Sequence, residues 1–198
     1  MKSQRHRVCP VELADSLDGR IRRWLQDPQP ILSPYVTRGM TVLDVGCGPG
    51  FFSIELAKLV GEGGRVIAAD LQQGMLDRLS DKIKGSAFED SITLVKCEQD
   101  SINVHEPVDF ILSFYMVHEV PDKETFFGQL APLLKDTGRY LIVEPKLFHV
   151  SRKAFQATLS VAQHHGFEVH EGPRLRASWS AVLTKRLHLH SDFKPARM

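Results

Sequence analysis

The chain has 198 residues, of which 42% are hydrophobic and 25% charged. That length supports one domain with a sizeable core, and the composition excludes a disordered, collagen-like or disulfide-stapled protein. Lys plus Arg number 25 and Asp plus Glu 24, a net charge of +1, so the basic face of a general nucleic-acid binder is not expected. The three cysteines, Cys9, Cys47 and Cys97, form no C-x-x-C pair. They suit a reducing, cytoplasmic setting better than disulfides or structural zinc, and no metal site is expected. Residues 1–10 are basic with no apolar run behind them, so no signal peptide is read. No apolar stretch approaches the roughly 20 residues of a membrane helix.

Residues 1–40 read as a helical cover. Val11, Leu13, Leu17, Ile21, Trp24 and Leu25 recur at helical spacing, with Arg22 and Arg23 between them. Pro28 and Pro30 break the pattern, and Ile31, Leu32, Tyr35 and Val36 form a second short apolar face. From Thr41 onward strand and helix alternate. Strands are predicted over 41–45, 65–70, 92–96, 108–113, 140–144, 167–170 and 179–184, and helices over 51–60, 72–84, 122–134 and 151–163. Residues 135–138 read as a turn, Ser151 as an N-cap and Gly166 as a helix stop. The last two strands are joined by a loop, so they are expected to pair as an antiparallel edge hairpin. The whole predicts a single domain with a doubly wound, mostly parallel α/β sheet: a cover over 1–40, a core over 41–186 and a tail over 187–198.

The segment Val42-Leu-Asp-Val-Gly-Cys-Gly-Pro-Gly-Phe-Phe52 carries the chemistry. A strand runs into glycines that open a helix, so backbone can approach a ligand closely at a positive dipole end. A dinucleotide fingerprint would read G-x-G-x-x-G, whereas Gly46, Gly48 and Gly50 bring the third glycine one residue early. No Gly-Lys-Ser or Gly-Lys-Thr follows, so a P-loop is excluded. Asp44 would repel a pyrophosphate and suits a cationic ligand. Asp70, ending the second strand, is placed to take two ribose hydroxyls in its carboxylate fork.

These residues resemble motif I of the class I S-adenosylmethionine-dependent methyltransferases, and the pattern over 41–184 resembles that family, nearest its ubiquinone and menaquinone C-methyltransferases. The resemblance implies a Rossmann-like seven-stranded sheet with an antiparallel last strand. It implies S-adenosylmethionine as cofactor and S-adenosylhomocysteine as product. Asp44 would then sit near the methionine amino group. Gly46, Cys47, Gly48, Gly50 and Phe51 would carry the cofactor over the loop. Asp70 would hold the ribose diol and Leu71 would pack on adenine. Glu98 would lie near the adenine amino group, in a Cys97-Glu98-Gln99 segment that departs from the usual Gly-Asp-Ala. Ser113 and Phe114 would line the methyl-donor pocket.

A carbon or hydroxyl acceptor benefits from a general base. The candidates are Tyr115, His118 and Glu119, with Glu144 and His149 after the fifth strand. Ser113-Phe-Tyr-Met116 is not the Asn/Asp-Pro-Pro-Tyr/Phe of DNA amino-methylating enzymes, so a small-molecule acceptor is expected, in a protein free to form a homodimer. Two alternatives stand beside this one. One is a nicotinamide-dependent oxidoreductase; the other is a non-catalytic domain of the same fold that binds the cofactor or a protein partner.

Overall fold

The computed structural model describes residues 27–146 and 150–186. The expected helix around Arg22, Arg23 and Trp24, together with Cys9, His149 and the tail over 187–198, lies outside the described residues. Helix α1, Pro28–Leu32, starts at Asp27, whose carboxylate accepts from the Gln29 N–H at 3.2 Å. Pro28 occupies the first turn, where a missing N–H costs nothing. Ile31, Leu32 and Val36 are buried against Val42 and Leu56. This stretch of the expected cover is therefore built into the core.

The strands are β1 (Thr41–Val45), β2 (Arg65–Asp70), β3 (Ile92–Lys96), β4 (Val108–Phe114), β5 (Leu134–Pro145), β6 (Phe167–Glu171) and β7 (Ser178–Lys185). They form one sheet in the order β3-β2-β1-β4-β5-β7-β6. Only β7 runs against its neighbours, pairing antiparallel with both β5 and β6. The expected hairpin therefore forms, with β6 as the edge. Further helices are α2 (Phe51–Val60), α3 (Gln73–Ile83), α4 (Lys123–Leu133) and α5 (Arg152–His164).

Apolar residues flank the sheet on both faces, as strands without strict alternation require. Val42, Phe110 and Leu141 point to the side packed by α1, α2 and α3. Leu43, Ile111 and Tyr140, each one residue away along its strand, point to the side packed by α4 and α5. The caps are local: Asp122 accepts from Thr125 N–H at 3.0 Å and Ser151 from Ala154 N–H at 3.1 Å. Gly166 follows α5 with φ +85°.

One boundary differs clearly. The expected turn over 135–138 is absorbed into β5. The register with β4 slips between Val108↔Leu134 and Phe110↔Arg139, so the intervening residues bulge from the ladder. A Cβ on Gly138 would stand 2.6 Å from Leu134 Cδ1 and 3.0 Å from the Asp109 carbonyl. Its glycine serves this close approach rather than a chain reversal.

The chain steps outward from β1 to β2 to β3, then returns to place β4 on the other side of β1. The connections after β1 and β4 thus depart to opposite sides. Such a switch point opens a crevice at the strands' carboxyl ends, where open α/β sheets bind ligands.

Candidate active site

A cavity of about 620 Å³ lies at that crevice. Its floor is the glycine loop after β1. Its flanks are the segments after β2 and β3 on one side, and the segment after β4 with the start of α4 on the other. The volume is in the range of small-molecule sites.

Nine of the expected cofactor residues line it: Asp44, Gly46, Cys47, Gly48, Phe51, Asp70, Leu71, Glu98 and Phe114. Two do not. At Gly50, with φ +89°, a Cβ would meet Leu79 Cδ1 at 2.2 Å, so this glycine lets the start of α2 pack on α3. Ser113 points to the other face of β4, fully buried, with its Oγ 2.9 Å from the Tyr140 hydroxyl. Strand alternation explains that correction: Phe114 and Ser113 cannot face the same way.

Gly48 has the opposite surroundings to Gly50. Its φ is +55°, and no heavy atom lies within 4 Å of where a Cβ would be, so its cavity side is open backbone. Its N–H donates to Asp70 Oδ2 at 2.8 Å, while Asp70 Oδ1 accepts from Gln72 N–H at 2.8 Å. Asp70 thereby ties the glycine loop to the start of the segment after β2. Burial pushes its pKa up, and the backbone N–H bonds oppose that only in part. Asp44 is 2% exposed and accepts from Ser53 Oγ at 2.6 Å.

Both described cysteines are buried neutral thiols. Burial first, then the Asp44 and Asp70 charges, push the Cys47 pKa up. Burial pushes the Cys97 thiol to about 11. Neither is a thiolate poised for chemistry.

The first three catalytic candidates separate. Tyr115 and Glu119 line the cavity, whereas His118 does not. Tyr115 has φ +62°, an unusual value for a bulky side chain, and its N–H donates to the Val143 carbonyl at 2.8 Å. Its hydroxyl lies 2.5 Å from Ser178 Oγ. Ser178 donates its one hydroxyl hydrogen to the Arg176 carbonyl, so Tyr115 is the donor in that pair. This arrangement makes Tyr115 a fixed wall and gives its proton a partner.

His118 sits behind the wall. Its Nδ1 is 2.5 Å from Glu144 Oε2, and Glu144 Oε1 accepts from Val117 N–H at 2.9 Å. Glu144 itself is 2% exposed and does not line the cavity, which removes it as a base acting directly there. Burial opposes charge on His118, but the Glu144 hydrogen bond, with the Glu144 and Glu119 charges, outweighs it and raises the His118 pKa. His118 Nε2 stands 3.9 Å from Glu119 Oε1.

Sequence reasoning missed Gln129 of α4. Its Oε1 accepts from Ile102 N–H at 2.9 Å and its Nε2 donates to the Asp100 carbonyl at 2.7 Å, fixing the loop that closes one flank of the cavity. A contact spanning 27 residues leaves no local pattern in the sequence.

A family model described as a methyltransferase domain matches residues 36–184. Ubiquinone/menaquinone biosynthesis C-methyltransferase UbiE of Klebsiella pneumoniae is 31% identical over 110 residues, covering 55% of this chain and 44% of that protein. The protein of the same name from Cronobacter sakazakii is 29% identical over 125 residues, or 62% and 50%. The chain spans about half the length of the curated relatives it matches. Among solved structures, a SAM-dependent methyltransferase from Aquifex aeolicus superposes with a TM-score of 0.78 at 25% identity, covering 91% of this chain and all of that one. A structure from Methanococcus maripaludis, described as a putative S-adenosylmethionine-dependent methyltransferase, shares the fold with a TM-score of 0.74 at 20% identity, covering 95% and 99%.

The residues present fit S-adenosylmethionine. Gly48 offers open backbone where a side chain would intrude, and Asp70 brings a largely buried carboxylate to the same cavity. Matched over three quarters of its length by the family model and superposed over 91% of it on a solved SAM-dependent methyltransferase, the chain belongs to the class I methyltransferases, whose cofactor is S-adenosylmethionine.

Proposed function

We propose that the protein transfers a methyl group from S-adenosylmethionine to an uncharged small molecule. The observation that carries this reading is the single cavity that joins Gly48 and Asp70 to Tyr115 and Glu119. When bound, the cofactor supplies a methyl group on a sulfonium, ready for in-line displacement. Asp70 holds the ribose hydroxyls with the lone pairs left after its two backbone bonds. Asp44 faces the methionine ammonium, and Leu71 and Glu98 bound the adenine. Phe51, Phe114 and Tyr115 shape an apolar wall, exclude water and orient the acceptor.

No lysine or arginine lines the cavity among the described residues. That supports a neutral acceptor over a phosphate-bearing or nucleic-acid one. The aromatic wall supports a ring-bearing acceptor, as the names of the UbiE relatives do. The reading places the protein in the cytoplasm as a single domain. Among the described residues no helix is long and apolar enough to cross a membrane.

The nicotinamide alternative is disfavoured by Asp44 in the cavity and by the family match. Thermal melting with each ligand tests the choice: S-adenosylhomocysteine is expected to raise the melting temperature and NADH to leave it unchanged. Stabilisation by NADH alone would overturn the reading.

A further inference from the structure

The loop after β3 forms one wall of the cavity through Glu98, Gln99, Asp100, Ser101 and Ile102. Its tip is exposed at Glu98, Gln99 and Asp100, whereas Ile102 is 5% exposed and packs into the core. Its root is tied to the sheet, where Cys97 N–H donates to the Asp70 carbonyl at 2.9 Å. Other bonds stay within the loop. Glu98 N–H donates to the Ser101 carbonyl at 2.7 Å, and Asn103, with φ +57°, donates its side-chain amide to the Lys96 carbonyl at 2.9 Å. Internal bonds fix a loop's shape but not its position against the rest of the cavity.

Gln129 supplies that position. It lies on α4 and lines the cavity itself. Both ends of its amide are used: Oε1 accepts from Ile102 N–H at 2.9 Å, and Nε2 donates to the Asp100 carbonyl at 2.7 Å. Nε2 also reaches the Thr125 carbonyl, one turn back on the same helix, at 3.5 Å. A donor and an acceptor of the loop each meet their complement, which fixes the amide's orientation and grips the backbone on both sides of Ser101. The same helix carries Thr125 and Phe126 on the flank across the cavity. Gln129 thus sets where the loop's polar groups stand relative to a ligand anchored at Asp70.

We propose that Gln129 is a positioning residue for base selection: by clamping the loop after β3, it lets the site tell a 6-amino purine from a 6-oxo purine at the base end of the cofactor. This rests on the cofactor reading above and deepens it. With the ribose at Asp70 and the methionine chain over the glycine loop, the base projects to the β3 side, because β3 lies next to β2. The two purines differ in the polarity of one edge. The 6-amino base offers N–H groups with an acceptor nitrogen beside them; the 6-oxo base offers a carbonyl with an N–H beside it. The Glu98 and Asp100 carboxylates of the loop only accept, which favours the amino edge. Lys96, at the loop's root, donates to the Cys97 carbonyl at 2.8 Å and does not line the cavity. Polar groups reject the wrong edge only when they are held in place, since a loosened loop pairs with either. Stacking and ribose contacts are common to both bases, so loosening the loop costs selectivity ahead of the affinity they share.

The test is calorimetric binding of S-adenosylhomocysteine and S-inosylhomocysteine to the full chain, to Gln129→Ala and to Gln129→Met. The unaltered protein is expected to prefer the adenosyl ligand by about tenfold or more. Gln129→Ala should cut that preference about fivefold, mostly through weaker adenosyl binding. Gln129→Met keeps the length of the side chain and removes both hydrogen bonds, so it should lose selectivity to the same extent. Thermal melting confirms that each variant is folded, and the Met variant carries the test where the Ala variant does not fold. A merely structural role for Gln129 would weaken both ligands alike. That result, selectivity retained in Gln129→Met, or an unaltered protein that binds the two bases equally overturns this inference and leaves the cofactor reading standing. Absence of binding of either ligand to the unaltered protein overturns both.

Discussion

Asp70 and Glu144 are both carboxylates at the carboxyl ends of parallel strands, 7% and 2% exposed. Asp70 spends its hydrogen bonds on two backbone N–H groups of segments that line the cavity, and it faces the cavity itself. Glu144 takes one backbone N–H and one imidazole, and it stands behind the cavity wall. The two positions look alike in sequence, since each acid closes an apolar strand. What separates them is the neighbour that follows. After β2 the chain turns directly into α3, so Asp70 stays at the crevice. Above β5, the turn after β4 folds across Glu144 and covers it.

The sharpest way to break the comparison is to remove each carboxylate in turn. Asp70→Ala is expected to weaken S-adenosylhomocysteine binding by about a hundredfold or more, since two hydroxyls lose a charged acceptor. Titration calorimetry checks this, and unchanged affinity would remove Asp70 from the site. Glu144→Ala should act first on folding. It strands the Val117 N–H and the His118 imidazole, at a cost of about 2–4 kcal/mol in urea denaturation. If instead it left stability untouched and abolished ligand binding, the distinction between the two acids would fail.

The smallest effect lies in pH. His118 has its folded pKa raised above the ordinary 6.5, chiefly by Glu144 working against burial. Its contribution to stability is then fully present below about pH 6.5 and is lost as pH rises through the raised value. The stability difference between the natural chain and His118→Asn should shrink from pH 6 to pH 8.5, as followed by urea midpoints. A difference that grows with pH would mean that the imidazole is held neutral.

The reach of sequence reasoning follows the range of the forces involved. The helix over 51–60 was legible to the residue because its apolar spacing and the flanking glycines at 50 and 61 are local signals. The glycine loop, Asp70 and the antiparallel hairpin were legible for the same reason. The start of β5 was not: Asp136, Thr137 and Gly138 have turn chemistry, and only the pairing of Leu134 with Val108 and of Arg139 with Phe110 on either side makes them a bulge within the strand. Within the site, the facing of Ser113 and the partner of Tyr115, 63 residues away, depend on which strands the fold makes adjacent. His118 read as a candidate for direct chemistry because the sequence shows its proximity to Tyr115 and Glu119, not the Glu144 carboxylate that turns its ring away.

The reversed direction of β7 has a practical consequence. Its first residue, Ser178, lies beside Pro145 at the cavity end of the sheet, and its last, Lys185, lies beside Phe167 at the other end. An eight-residue strand spans roughly 25 Å. The backbone therefore departs from the sheet at Arg186 on the side remote from the crevice. An attachment made at Arg186 would start on the side of the sheet remote from the opening.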